Sequence, residues 1–150
     1  MEITRRTFLK GTGTGIACAC IQCAGLSQSV ERLMASPNPP DSYRIESKKL
    51  IIDLNKHIKL KETGGWSAFE VINRKVIVIH PAENDFKAFE NKCTHKGGWL
   101  SYRYKDGFMQ CALHGSRFDT NGEVVRGPAQ LPIHEFNANL DKSELIIDLA

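Results

Sequence analysis

Beyond its first stretch, the 150-residue chain has little cysteine. Cys18, Cys20 and Cys23 crowd near the start, and only Cys93 and Cys111 follow. A disulfide framework scattered through the folded part is therefore excluded. Long basic runs are missing and the net charge is only +3, which argues against nucleic acid as a partner. The longest apolar stretch, Gly11 to Leu26, is shorter than the roughly 20 residues a membrane-spanning helix needs and is diluted by glycines, threonines and Gln22. No serine–histidine–acid arrangement, phosphate-binding loop or facial triad for a mononuclear iron can be recognised. The length suffices for one domain with its own core but leaves no room for a separate catalytic domain.

What is present begins with a leader. Thr4-Arg5-Arg6-Thr7-Phe8-Leu9-Lys10 followed by the weakly apolar stretch resembles a twin-arginine export signal, an address for proteins that cross a membrane already folded. Residues 1–36 are expected to be this signal, its composition favouring removal and retention as an anchor being the alternative. Lipid attachment at Cys18 or Cys20 is disfavoured by a poor preceding sequence. Residues 37–42, rich in proline, form an extended linker, and residues 43–150 the domain.

From Tyr43 onward the hydrophobic period is that of strands. Lys49 to Leu54, Ala68 to Ile72 and Lys75 to His80 are β-branched runs separated by short polar turns. Phe86 to Lys92 alternates and leads directly into Cys93. Asp106-Gly107 and Asn121-Gly122 are hairpin dipeptides, and Leu131 to Phe136 and Ser143 to Leu149 close the chain as strands. No helical periodicity exceeds about two turns. The expected fold is all-β and antiparallel.

Two short segments carry the chemistry. Cys93-Thr94-His95 and Cys111-Ala112-Leu113-His114 each offer one thiolate and one imidazole, and a hairpin through Asp106-Gly107 would set them side by side. Tetrahedral zinc accepts two cysteines and two histidines, although its usual order places both cysteines first. A 2Fe–2S cluster bound by two histidines on one iron and two cysteines on the other is the competing reading.

The resemblance extends further. His114-Gly115-Ser116 with Phe118-Asp119, the Gly127-Pro128-Ala129 loop with the strand after it, and the strand before Cys93 together resemble the Rieske 2Fe–2S family. That resemblance implies a small antiparallel β-sandwich with a cluster-binding subdomain built from two loops. It implies Cys93, His95, Cys111 and His114 as ligands, and Ser116 as a hydrogen-bond donor to a cluster sulfide. Four thiolates would make the oxidised cluster a dianion, whereas two thiolates and two neutral imidazoles leave it uncharged, so an electron enters more easily. Cluster assembly needs reduced thiols, so an exported cluster protein must fold before export, and leader and site support each other.

This chain also departs from the family. High-potential relatives clamp the two loops with a disulfide at the positions of Gly98 and Leu113, and that clamp cannot form here. Backbone hydrogen bonds and apolar cover from Trp99, Leu100 and Pro128 are expected in its place. Phe118 stands where relatives carry a tyrosine bonded to a ligand sulfur, and Lys96 where quinol-oxidising relatives carry leucine. His57, His80 and His134 lack partner spacing and read as structural or surface histidines, and Trp66 reads as a turn-packing aromatic. The expected function is one-electron transfer outside the cytoplasm, as a free carrier or as a non-catalytic small subunit of a periplasmic oxidoreductase. Its partner would be a cytochrome or an oxidoreductase large subunit, with membrane association through an uncleaved leader. The alternatives are the Rieske subunit of a quinol–cytochrome c reductase and, in a different class, a structural zinc module.

Overall fold

A computed structural model describes residues 38–150, so the leader lies outside the described residues. Twelve strands make three four-stranded sheets, every pairing antiparallel. The first sheet has the order β1-β2-β12-β11, from Tyr43–Glu46, Lys49–Asp53, Glu144–Asp148 and Ala138–Asp141. In the central sheet β10, β5, β4 and β3 are Glu135–Phe136, Asp85–Glu90, Arg74–Ala82 and Trp66–Val71. The third is the meander β6-β7-β8-β9, from Leu100–Arg103, Phe108–Cys111, Arg117–Asp119 and Val124–Arg126. Among the described residues, one short α-helix, α1 (Ile58–Lys61), lies between β2 and β3 and so connects the first two sheets.

The central sheet is covered on both faces, and its strands show why. Along β4, Val76 and Val78 join a core shared with the first sheet, while Ile77 and Ile79 join a second core shared with the meander. All four are fully buried, each contributing about 1.5–3 kcal/mol of apolar burial. Alternation of period two sends successive side chains to opposite faces, so a continuous β-branched run serves both cores. In β5, Ala88 likewise faces the first core and Phe89 the second. The strand that leads into Cys93 is thus held rigidly from both sides.

Buried histidines pin the helix to the sheet. His57 accepts the Leu60 N–H at Nδ1 (3.3 Å) and donates from Nε2 to the Asn38 side-chain oxygen (3.0 Å). His80 binds the Leu60 carbonyl through Nδ1 at 3.1 Å and stacks on Phe86 with ring centroids 4.0 Å apart. Asn38, at the proline-rich stretch, is itself buried. Its amide donates to Ala68 O (2.7 Å), and its oxygen also accepts from Ser67. The chain is therefore docked on the central sheet from Asn38 onward. His134 is exposed, its ring edge-on to Phe136, and Trp66 packs against the second core.

Candidate metal centre

The two cysteine–histidine segments fold into the same turn. In the first, Cys93 N–H bonds to Gly98 O (2.8 Å) and Gly97 N–H to Cys93 O (2.7 Å). In the second, Cys111 N–H bonds to Ser116 O (2.8 Å) and Gly115 N–H to Cys111 O (3.2 Å). Each turn needs a left-handed residue four places after its cysteine, and glycine supplies it, with φ of 72° at Gly97 and 74° at Gly115. The repeated spacing of cysteine to glycine was a sequence signal for this matched pair. The histidine sits two places after Cys93 but three after Cys111, so the two turns present their imidazoles at different steps.

The four donors divide by environment. Cys93 and Cys111 are free thiols, each 2% exposed, and belong to the second core with Met109, Phe118 and Ala129. His95 and His114 are exposed, their rings 4.9 Å apart and edge-on. Among the described residues, no three His, Cys, Asp or Glu side chains converge to hold a single ion. A binuclear group, bound by pairs of donors at its two ends, asks for no such convergence.

Ser116 is fully buried, and its Oγ accepts the Ala129 N–H at 3.0 Å. That bond uses a lone pair, and the hydroxyl proton has no protein acceptor among the described hydrogen bonds. A buried hydroxyl with its proton free, on the turn that carries Cys111, suits an anionic group such as a bridging sulfide. The residues present therefore fit a 2Fe–2S cluster by donor type, burial and spare hydrogen-bonding capacity.

Residues that spacing alone did not single out hold the loops. Thr94 Oγ1 donates to Leu131 O (2.6 Å), tying the first loop to the loop after β9. Buried Asn91 accepts the Leu100 N–H at 2.7 Å and fixes the exit of the first loop, while Ala112 N–H bonds to Trp99 O (3.0 Å) across the two loops. Leu100 and Ala129 supply buried cover. Trp99 and Pro128, expected as cover, are instead exposed. The Trp99 ring turns outward, with Lys75 Nζ over its face 4.1 Å from the centre, a cation–π contact.

Where relatives carry their clamp, Leu113 lies against Gly98. A Cβ at Gly98 would fall 2.8 Å from Cys111 Sγ and 2.9 Å from Leu113 Cγ. The loops approach each other through a glycine, held by the backbone bonds above.

Comparison with known proteins agrees with this arrangement. The family described as Rieske [2Fe-2S] domain matches residues 51–137, more than half of the chain, and the chain belongs to that family. The group this domain binds is a 2Fe–2S cluster, which decides between the two metal readings left open by spacing. The cytochrome b6-f complex iron-sulfur subunit of Chlorobaculum thiosulfatiphilum is 29% identical over 87 residues, covering 58% of this chain and 48% of that protein. Iron-sulfur subunit 2 of the same complex in Trichormus variabilis is 46% identical over 43 residues, 29% of this chain and 24% of that one. The chain spans about half the length, or less, of these relatives. Among solved structures, the plasma membrane Rieske protein PetC3 from Synechocystis PCC 6803 superposes with a TM-score of 0.52 at 22% identity, covering 64% of this chain and 91% of that one. The ferredoxin of carbazole 1,9a-dioxygenase from Nocardioides aromaticivorans gives 0.54 at 23% identity, covering 61% and 93%. These two likenesses concern the fold, and they agree with the all-β antiparallel architecture.

Proposed function

We propose that the protein is a one-electron carrier whose 2Fe–2S cluster is held by Cys93 and Cys111 at the buried end and by His95 and His114 at the exposed end. One observation carries this reading: two buried thiols and two adjacent exposed imidazoles are presented by a pair of matching turns. The cluster supplies a reversible one-electron couple. The thiol end, enclosed with Met109, Phe118 and Ala129, would keep water from the sulfurs, and Ser116, its hydroxyl proton free, would offer a hydrogen bond to the group held there. The imidazole edges reach solvent, so electrons enter and leave through His95 and His114.

On this reading the site lies on the outer side of a membrane, residues 1–36 are a twin-arginine leader, and residues 37–42, docked on the domain from Asn38, join the two. Gly98, Leu113 and Lys96 support a free carrier or the small subunit of an extracytoplasmic oxidoreductase. The second reading, the iron-sulfur subunit of a cytochrome complex, draws on the relatives of that name. A redox titration of the cluster-loaded full chain, followed by electron paramagnetic resonance, tests the core of the proposal. The expected result is one reversible couple with a signal that appears on reduction and is lost in Cys93→Ser and in His114→Ala. A colourless zinc-loaded protein, or a signal that survives both substitutions, would sink it.

A further inference from the structure

The loops around the four donors have charge of one sign only. Residues 91–104, 111–118 and 124–134 contain Lys92, Lys96, Arg103, Arg117 and Arg126 but no aspartate or glutamate, the nearest acids in sequence being Glu90, Asp119, Glu123 and Glu135 at their borders. Lys75 adds a sixth cation over Trp99 of the first loop. Among the described residues, the ion pairs are Arg44 with Glu46 and Glu144, and Lys56 with Asp53, so none of these six cations has an acidic partner.

The placement of these cations is unfavourable to the fold in one respect. Arg117 and Arg126 stand directly opposite each other across β8 and β9, a like-charge pairing that weakens a sheet. Arg117 lies over the Phe108 ring at 4.4 Å, and its Nε is buried with no hydrogen-bond partner. Lys92 lays its stem along Gly97 of the first turn, and Lys96 follows His95 directly. On the same loops, Leu113 (60%), Leu131 (66%) and Trp99 (45%) are exposed apolar side chains, and Lys75 sits directly over the Trp99 ring.

We propose that this face docks an acidic redox protein, one whose own redox centre lies under an apolar patch bordered by aspartate and glutamate. The proposal rests on the electron-carrier reading and names the partner of that same site. Electrons cross where His95 and His114 meet solvent, so the occupant must bring a redox centre to that point. A lipid headgroup brings none, and a second copy of this chain would oppose cation to cation. Unopposed charges beside exposed apolar side chains steer an oppositely charged partner and release it again, since rim charges act mainly on the encounter rate.

The test uses the reduced, cluster-loaded full chain in stopped flow, with an acidic plastocyanin and a basic cytochrome c as acceptors and ferricyanide as a small-molecule control. Oxidation by plastocyanin should slow by roughly tenfold or more as salt rises from about 10 to 500 mM, while oxidation by cytochrome c should hold steady or quicken. Lys92→Glu with Arg126→Glu should remove the plastocyanin advantage. Arg126→Glu gives Arg117 an opposite charge across the strands, so the variant is expected to fold at least as well. Lys142→Glu, in the β11–β12 turn of the first sheet, should leave both rates unchanged. If ferricyanide cannot oxidise the reduced protein, the electron-carrier reading fails. If ferricyanide succeeds but plastocyanin shows neither preference nor salt dependence, the docking proposal alone is overturned. It is overturned equally if phosphatidylglycerol vesicles bind the protein and the double substitution releases it.

Discussion

Gly98→Ala is the sharpest probe of how the two loops meet. The backbone at Gly98 is not left-handed, so alanine is conformationally acceptable there, and the whole effect must come from crowding. The new methyl would sit 2.8 Å from Cys111 Sγ, about 0.7–1.2 Å inside the comfortable separation of non-bonded carbon-sized atoms. It would also sit 2.9 Å from Leu113 Cδ1, but Leu113 is 60% exposed and can swing into solvent. Cys111 cannot, because both its backbone groups are bonded within the turn and its thiol is buried. Overpacking of this kind costs about 1–3 kcal/mol, and each kcal/mol lowers the melting temperature by roughly 4–8 °C in a domain near this size. The assay is a thermal melt of the cluster-loaded protein, read by the visible absorbance of the cluster. Adding Leu113→Ala should recover little of the loss, since the sulfur contact stays. A Gly98→Ala protein that melts like wild type with an unchanged spectrum refutes the reasoning, and full rescue by Leu113→Ala refutes the part assigned to sulfur.

Phe118→Tyr should raise the midpoint potential by about 60–130 mV if the new hydroxyl reaches a ligand sulfur, converting a charge-assisted bond of about 1.5–3 kcal/mol for a one-electron couple. An unmoved potential with a loss of about 1–3 kcal/mol in stability would mean a stranded hydroxyl and would remove the argument. Asn38→Ala leaves the His57 Nε2–H and the Ser67 hydroxyl without their shared acceptor. It should cost about 1–3 kcal/mol per stranded group in urea unfolding, and a change within error would show that Asn38 is only loosely docked. Burial pushes His57 below the ordinary histidine pKa. The folded protein then binds fewer protons than the unfolded chain, and stability falls as pH drops from about 6.5 toward the depressed folded value. In His57→Gln that slope, measured by urea unfolding at several pH values, should flatten, and an identical slope in both proteins would contradict the assignment.

Strands with a buried face were legible. The β-branched runs became β2, β3, β4 and β12, and the alternating run ending before Cys93 became β5. Two largely exposed edge strands were not. Most of β1 (Tyr43–Glu46) and β11 (Ala138–Asp141) is exposed, so neither carries the hydrophobic alternation that betrays a strand. Of the segment Leu131 to Phe136, expected as one strand, only Glu135–Phe136 pairs. Pro132 has no N–H to give a ladder, and the Leu131 carbonyl is used by Thr94 instead. At the centre itself, spacing marked two thiols that the fold buries in one core and two imidazoles that it sets side by side. The outward Trp99 was not legible, and the Lys75 that sits over its ring is distant in sequence and adjacent only across the fold.

The two cores also differ in what completes them. The core beneath the central sheet is closed by side chains alone, whereas the one above it counts two ligand-type sulfurs among its members. A group held by these thiols would be a building block of the upper half as much as a redox device. A chain that has not acquired it would possess a finished lower storey under an unfinished upper one. Cofactor insertion would then act as an inspection step, passing on as fully packed only those molecules already equipped to carry an electron.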